Sequence, residues 1–292
     1  RHRSNRKPGT RLCPQGLAKQ VEKYNFADIM VILITGISSG FGLEAARLLA
    51  AEGHTVYGTV RREVEHLPGV HYLFADVTDN DAVTAAVRQV INNEGLIDML
   101  VCNAGMGVGG PVEFTPQKSI TLQMDTNFGG AVSFTRAVLP FMRERRHGRL
   151  VFISSIGGLM GLPYQGFYSA SKFAVEGFAE ALRLEVNDFG ISVAIVNPGD
   201  FSTGFASRRV KASDPEAEKA YPQYAKALNN IEKDERGGLK PIAVARTISR
   251  ICSARHPRCR YIVADPIQRL SVSLKHILPD RLFARILSWY YR

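Results

Sequence analysis

Cysteine is scarce: Cys13, Cys102, Cys252 and Cys259 are all there is in 292 residues. Their spacings match neither a zinc site nor a dense disulfide framework, so free thiols in a reducing compartment are expected. Long apolar runs are missing as well. No stretch approaches the roughly 18 consecutive apolar residues of a membrane span, and the N-terminus lacks the apolar core of a secretory signal. Both absences lead to the expectation of a soluble, cytoplasmic protein. Acidic residues are outnumbered, 27 against 37 Lys and Arg, for a formal net charge of +10. That excess sits at the two ends: residues 1–29 carry seven Lys or Arg against Glu22 and Asp28, and residues 266–292 carry five against Asp280. A footprint for phosphate backbones would cluster on one folded face, so nucleic acid is not an expected partner.

With 45% apolar residues the chain can bury one substantial core, and a single α/β domain over residues 30–265 is expected. Residues 1–29 contain Pro8, Gly9 and Pro14 and show no sustained apolar period, which marks a basic tail, disordered or non-native. Met30 directly precedes the first strand and is a candidate natural start, with a targeting presequence as the alternative. Residues 266–292 form an amphipathic basic extension, to be packed on this subunit or a partner, or laid on an anionic membrane surface.

Between these ends strand alternates with helix. The run VILIT after Met30 is continuously apolar, as in a parallel strand buried on both faces, and residues 43–52 then read as a helix. Further strands are predicted at 55–60, 70–75, 99–102, 149–153, 192–196 and 260–263, with helices at 79–94, 116–145 and 164–188. Repeated βα units of this kind build a doubly wound parallel sheet of Rossmann type, here seven strands with helices on both faces, which binds ligands beyond its strand C-termini. Residues 205–240 interrupt the rhythm with dense charge and with Tyr221, Tyr224, Ala225, Leu228 and Ile231 at helical spacing. A substrate lid or a solvated surface helix accounts for that pattern.

The first strand feeds the turn Thr35-Gly36-Ile37-Ser38-Ser39-Gly40-Phe41-Gly42. Glycines there permit a tight turn and close approach of backbone to a pyrophosphate, and the following helix start offers free N–H groups to the anion. The second strand ends Val60-Arg61-Arg62, where NAD-binding sheets carry a carboxylate for the ribose 2′-hydroxyl. With no carboxylate to repel a 2′-phosphate and a guanidinium able to grip it, NADP(H) is favoured and NAD(H) is the second choice; exposed loop arginines are the plainer reading. Asp76, with Val77 after it, follows the third strand and suits either an adenine amine or the cap of the next helix.

Tyr168 and Lys172 stand four residues apart in Tyr168-Ser169-Ala170-Ser171-Lys172, on one helical face. A phenol near pKa 10 is a poor acid-base group at neutral pH, and a nearby ammonium brings it toward the working range. Ser155 lies thirteen residues upstream, and Asn103-Ala104-Gly105 follows the fourth strand.

Taken in order, TGISSGFG, Asp76-Val77, Asn103-Ala104-Gly105, Asn127, Ser155, YSASK and Asn197-Pro198-Gly199 resemble the short-chain dehydrogenase/reductase family from about residue 31 to 203. The resemblance implies roles. Tyr168 would exchange the proton, Ser155 (chosen over adjacent Ser154 by the family's usual spacing) would bind the substrate oxygen, and Lys172 would hold ribose hydroxyls while lowering the tyrosine pKa. Asn127 would anchor a water leading to Lys172. Asn103, Ala104 and Gly105 would support the adenosine ribose, and Pro198, Gly199, Phe201 and Thr203 would line the nicotinamide. No metal is needed for such chemistry. The segment GGLMGLP, residues 157–163, and the end of the second strand are similar to the branch holding 17β-hydroxysteroid and retinol dehydrogenases. That branch implies a lipophilic carbonyl or alcohol substrate such as a steroid, retinoid or sphingoid compound, and the family implies a homodimer or homotetramer formed through the two long helices. A regulatory protein that senses NADP without turnover is the rival reading; it tends to lose the Tyr or Lys retained here.

Overall fold

The computed structural model describes residues 29–211 and 214–291. The greater part of the basic tail, with Cys13, therefore lies outside the described residues. Strand β1 (Val31–Ile34) leads through a glycine turn into helix α1 (Gly40–Ala51), and the unit repeats with β2 (Thr55–Val60), β3 (Val70–Phe74), α2 (Asn80–Glu94) and β4 (Met99–Cys102). The second half contains a short β5 (Val108–Gly109), α3 (Gln117–Met124), α4 (Gly130–Arg145), β6 (Gly148–Ile153), α5 (Gly166–Val186) and β7 (Ile191–Pro198). It continues with β8 (Val210–Lys211), α6 (Pro215–Ala220), α7 (Tyr224–Gly237), α8 (Ile242–Ser253), β9 (Arg260–Val263), α9 (Pro266–Ile277) and α10 (Asp280–Tyr291).

Seven strands form one parallel sheet in the order β3-β2-β1-β4-β6-β7-β9. The continuous apolar runs follow from this architecture. Along β1, Val31 and Leu33 join the core beneath α2, α4 and α5, while Ile32 and Ile34 join the core beneath α1 and α8. Because successive side chains point to opposite faces and both faces are covered, no polar alternation is possible. The chain direction of the sheet order reverses between β1 and β4, and the crevice beyond their C-terminal ends is where such sheets receive ligands.

Two expectations change. The long helix over 116–145 is interrupted: α3 ends at Met124, residues Asp125–Gly129 form a π turn with the Gly130 N–H reaching back to Asp125 O, and α4 resumes at Gly130. Apolar periodicity does not register a single widened turn, but such turns gather at functional sites, and this one holds buried Asn127. The two-residue strands β5 and β8, which pair parallel to each other outside the main sheet, are too short to leave a period in the sequence. In the segment 205–240, α7 buries Tyr224, Ala227, Leu228 and Ile231.

The C-terminal extension is a pair of helices. Val272 of α9 and Phe283 of α10 close a separate apolar cluster with Ile156, Met160 and Ala264, beside the strand ends. Among the described residues no helix is long and apolar enough to cross a membrane.

Candidate active site

One cavity of about 970 Å³ runs along the C-terminal ends of the strands. At its cofactor end, Thr35 Oγ1 accepts from the N–H groups of Asn103 (2.9 Å) and Ala104 (3.0 Å), while Asn103 Nδ2 donates to the carbonyls of Thr35 and Gly36 at 2.9 Å each. The turn after β1 and the turn after β4 are thus locked together across the point where the sheet order reverses. Gly36 has φ +74° and faces the Ala104 backbone, where a Cβ would lie 3.0 Å from Ala104 Cα. Gly42 does not line the cavity. Its Cβ would lie 2.4 Å from Gly36 O, so it seats the first turn of α1 against the loop, and its place in the motif is one of packing.

The start of α1 fits a pyrophosphate. Ser39 at the N-cap makes no side-chain capping bond and the first turn carries no acid, whereas Asp79 and Asp265 each accept two N–H groups at the starts of α2 and α9. The free N–H groups of α1, beside Gly36, Ser38, Gly40 and Phe41, face the cavity. Arg61 and Arg62 border the same space; the Arg61 side chain is 69% exposed and its Nη1 lies 3.8 Å from Asp76 Oδ2. Asp76 also accepts from the Thr78 N–H and hydroxyl, and with Val77 it lines the cavity; capping of α2 falls to Asp79.

At the other end Ser155, Tyr168 and Lys172 meet. Ser155 follows β6, and its hydroxyl accepts from the Gly157 N–H at 3.0 Å. The Ser155 carbonyl is held by Asn197 Nδ2 at 3.0 Å, and Asn197 is itself fixed by Glu176 and Arg260. Lys172 Nζ donates to Ile153 O at 2.9 Å and lies 5.9 Å from the Tyr168 ring centroid. Ser154 also lines the cavity, but its buried hydroxyl finds no partner among the described residues. Asn127 lies behind the cavity wall. Its side chain pairs with both the N–H (2.8 Å) and the carbonyl (2.9 Å) of Met106 and donates to Ser171 Oγ at 3.0 Å. It supports the floor under Gly105 and Lys172, since a Cβ on Gly105 would sit 3.3 Å from Asn127 Oδ1 and 3.7 Å from Lys172 Nζ.

Pro198, Gly199, Phe201 and Thr203 line the cavity across from these groups, with Phe201 edge-on to Phe41 at 4.9 Å and Thr203 against Gly40.

The electrostatics differ from the expected lysine-lowered phenol. Burial pushes Tyr168 up to about 12, with Ser155 hydrogen bonding and Arg209 pulling down and Glu235 and Asp200 pushing further up. Lys172 is itself lowered to about 8 by burial, partly offset by Glu176 one helical turn on. The reason is geometric: the ammonium is turned to Ile153 O, and the phenol answers first to burial and then to the Ser155 hydrogen bond, with Glu235, Arg209 and Asp200 behind them. Asp200 is raised to about 7, first by burial and then by Glu235, Asp234 and Asp265. These acids were not singled out from the sequence. Asp200 directly follows Pro198-Gly199, which was the available signal, whereas Asp234 and Glu235 read as part of a charged surface helix until α7 is folded over the site. The cavity is completed by Leu270, Leu274, Phe283, Ile286 and Leu287 of α9 and α10. Among the described residues no cluster of His, Cys, Asp and Glu is arranged to hold a metal.

The arrangement defines a dinucleotide-dependent oxidoreductase. The sequence profile of the short chain dehydrogenase family matches residues 30–214, and the chain belongs to the short-chain dehydrogenase/reductase family. It is 45% identical over 262 residues to a 3-ketodihydrosphingosine reductase of Bacteroides thetaiotaomicron, covering 89% of this chain and 97% of that one. It is also 39% identical over 194 residues to human 17-beta-hydroxysteroid dehydrogenase type 1, covering 61% of this chain and 58% of that one. Its fold superimposes on the crystal structure of a short-chain dehydrogenase from Streptomyces avermitilis with a TM-score of 0.76 and 30% identity, over 90% of this chain and 97% of that one. The protein is an oxidoreductase acting on CH–OH groups, and its fold binds NAD or NADP.

Proposed function

We propose that the protein reduces a long-chain ketone bearing an ammonium group beside the carbonyl, the chemistry of a 3-ketosphingoid base, with NADPH as the hydride source. The observation that carries this reading is a juxtaposition in one cavity. The Tyr168–Ser155 pair opens into an apolar channel formed by α9 and α10, and the carboxylates of Asp200 and Glu235 lie near enough to Tyr168 to act on its pKa. Glu235 is ion-paired to Arg209 and Asp200 accepts from Gln268 Nε2, so the acids are held inside the site; a steroid or retinoid would use the apolar channel alone, whereas an amine would use the channel and the Asp200 carboxylate. The 45% identity to a 3-ketodihydrosphingosine reductase supports the same substrate class.

NADPH supplies the hydride when bound. Ser155 Oγ orients the ketone oxygen, Tyr168 Oη delivers the proton to it, and Lys172 would hold ribose hydroxyls. An ammonium held by Asp200 would offset one of the charges that push Tyr168 upward, a smaller cause than burial and Glu235. NADPH over NADH rests on Arg61 and Arg62 at the end of β2, which has no carboxylate of its own. Assembly as a dimer or tetramer through α4 and α5 is supported by Phe173 and Leu184, large apolar residues exposed on α5; light scattering of the purified protein checks it.

The test is a substrate panel followed by loss of NADPH absorbance: a ketosphingoid base, the same ketone with its amine acetylated, a ketosteroid and retinaldehyde. The free amine should exceed its acetylated form by about tenfold or more in kcat/KM, the value of one charge-assisted contact. Equal turnover of the two, or a preference for the ketosteroid, would overturn the substrate assignment.

A further inference from the structure

Helices α9 and α10 leave an apolar surface uncovered at the mouth of the cavity. On α9, Ile267, Leu270, Leu274 and Ile277 fall on one stripe, and Ile267 and Leu270 are 76% and 57% exposed. On α10, Phe283 and Leu287 face the protein, Ile286 sits at the cavity rim, and Leu282 and Trp289 continue an exposed stripe beside it, Trp289 being 78% exposed. Ile267, Leu270 and Ile286 line the cavity and are exposed as well, so the apolar surface is continuous with the channel leading to Tyr168.

Charge states the kind of partner. Arg281 and Arg285 form an exposed stripe directly beside Leu282, Ile286 and Trp289. The one acid of the extension, Asp280, is paired with Lys275 at 2.6 Å. A symmetric contact with a second copy would bring two such arginine stripes into one interface whose acid, Asp280, is already paired with Lys275, which like-charge repulsion opposes. A basic helix with one apolar stripe and an interfacial tryptophan is suited instead to the boundary of an anionic bilayer.

We propose that α9 and α10 dock the protein on an anionic lipid surface, with the cavity mouth toward the bilayer, so that a lipophilic substrate passes from lipid to Tyr168 without crossing water. The docking step stands apart from substrate identity; only the transfer step rests on the function proposed above.

Trp289 is the single tryptophan of the chain, so its emission reports this face alone. The full-length protein is titrated with vesicles of phosphatidylcholine, and with vesicles of phosphatidylcholine mixed with phosphatidylglycerol, alongside co-sedimentation. Emission should shift to the blue and protein should sediment with the anionic vesicles only, and high salt should reverse both. Arg281→Glu/Arg285→Glu should lower vesicle affinity tenfold or more, since each basic residue near an anionic surface is worth about fivefold. Ile277→Ser/Trp289→Ser, at positions outside the cavity, should abolish co-sedimentation while turnover of a short, water-soluble ketone stays unchanged. Three results would overturn docking: no shift with anionic vesicles, a shift equal on both vesicle types, or a blue shift that follows protein concentration without lipid, which would assign the face to a second copy. Vesicle binding with no turnover of any long-chain ketone would leave docking standing and defeat the proposed substrate.

Discussion

Replacing Asp200 with Asn should make the protein more stable and a poorer enzyme. The Asp200 carboxyl is raised from 3.8 to about 7, with burial the largest cause and the neighbouring acids Glu235, Asp234 and Asp265 next. The folded protein therefore holds this proton more tightly than the unfolded chain does. Stability falls as pH rises from about 4 to 7, and above pH 7 the whole cost is present. At about 1.36 kcal/mol per pKa unit that cost is on the order of 4 kcal/mol. An Asn keeps the shape and an oxygen to accept from Gln268 Nε2, which donates to Asp200 Oδ2 at 2.5 Å, but it has no charge to desolvate. Urea denaturation from pH 4 to 8 should show Asp200→Asn little changed at pH 4 and more stable than the parent by up to about 4 kcal/mol at pH 8. Under the function proposed above, kcat/KM for the free-amine ketone should drop about tenfold or more at pH 8 while the acetylated ketone is scarcely affected. A variant no more stable at pH 8 than its parent, or one whose gain is the same at both ends of the range, would refute the argument, because a neutral or well-solvated Asp200 has no such cost to remove.

Tyr168→Phe removes the phenol hydroxyl and keeps the ring, so kcat should fall by about 10² to 10⁴ with NADPH affinity by fluorescence titration nearly unchanged, whereas Lys172→Met should damage both. Arg61→Ala should weaken NADPH more than NADH. Because that side chain is 69% exposed, the loss belongs at the lower end of a charge-assisted contact, about tenfold, and Arg61→Ala/Arg62→Ala should exceed it. Equal effects on the two cofactors, by calorimetry, would remove the arginines from cofactor choice.

The sheet was legible because its strands are buried on both faces: a run such as Val31-Ile32-Leu33-Ile34 has no other stable home in a chain with glycine turns and helical periods on either side. The cofactor end was legible because its parts are backbone devices, and glycines such as Gly36 and Gly42 announce them. Asn127 could be named but not placed, since the π turn that carries it leaves the apolar period of α3 and α4 almost intact. The substrate end was hidden for a different reason. Asp234 and Glu235 alternate with Lys233 and Arg236 like any solvated helix, and only the packing of Ala227, Leu228 and Ile231 turns one edge of α7 toward the site. The phenol pKa could not be reached from spacing at all, because it depends on how much water reaches Tyr168 and on acids distant in sequence.

The residues proposed to hold the cofactor and to transfer the proton lie between Gly36 and Thr203, whereas much of the apolar wall beside them comes from the last stretch of chain, at Leu270, Phe283 and Leu287. Under the function proposed above, the reacting groups and the apolar channel wall can therefore vary separately. Exchange of the two terminal helices for those of another family member would redirect the same tyrosine to a different ketone, and drift in that short segment could create new enzymes without a change at any reacting atom.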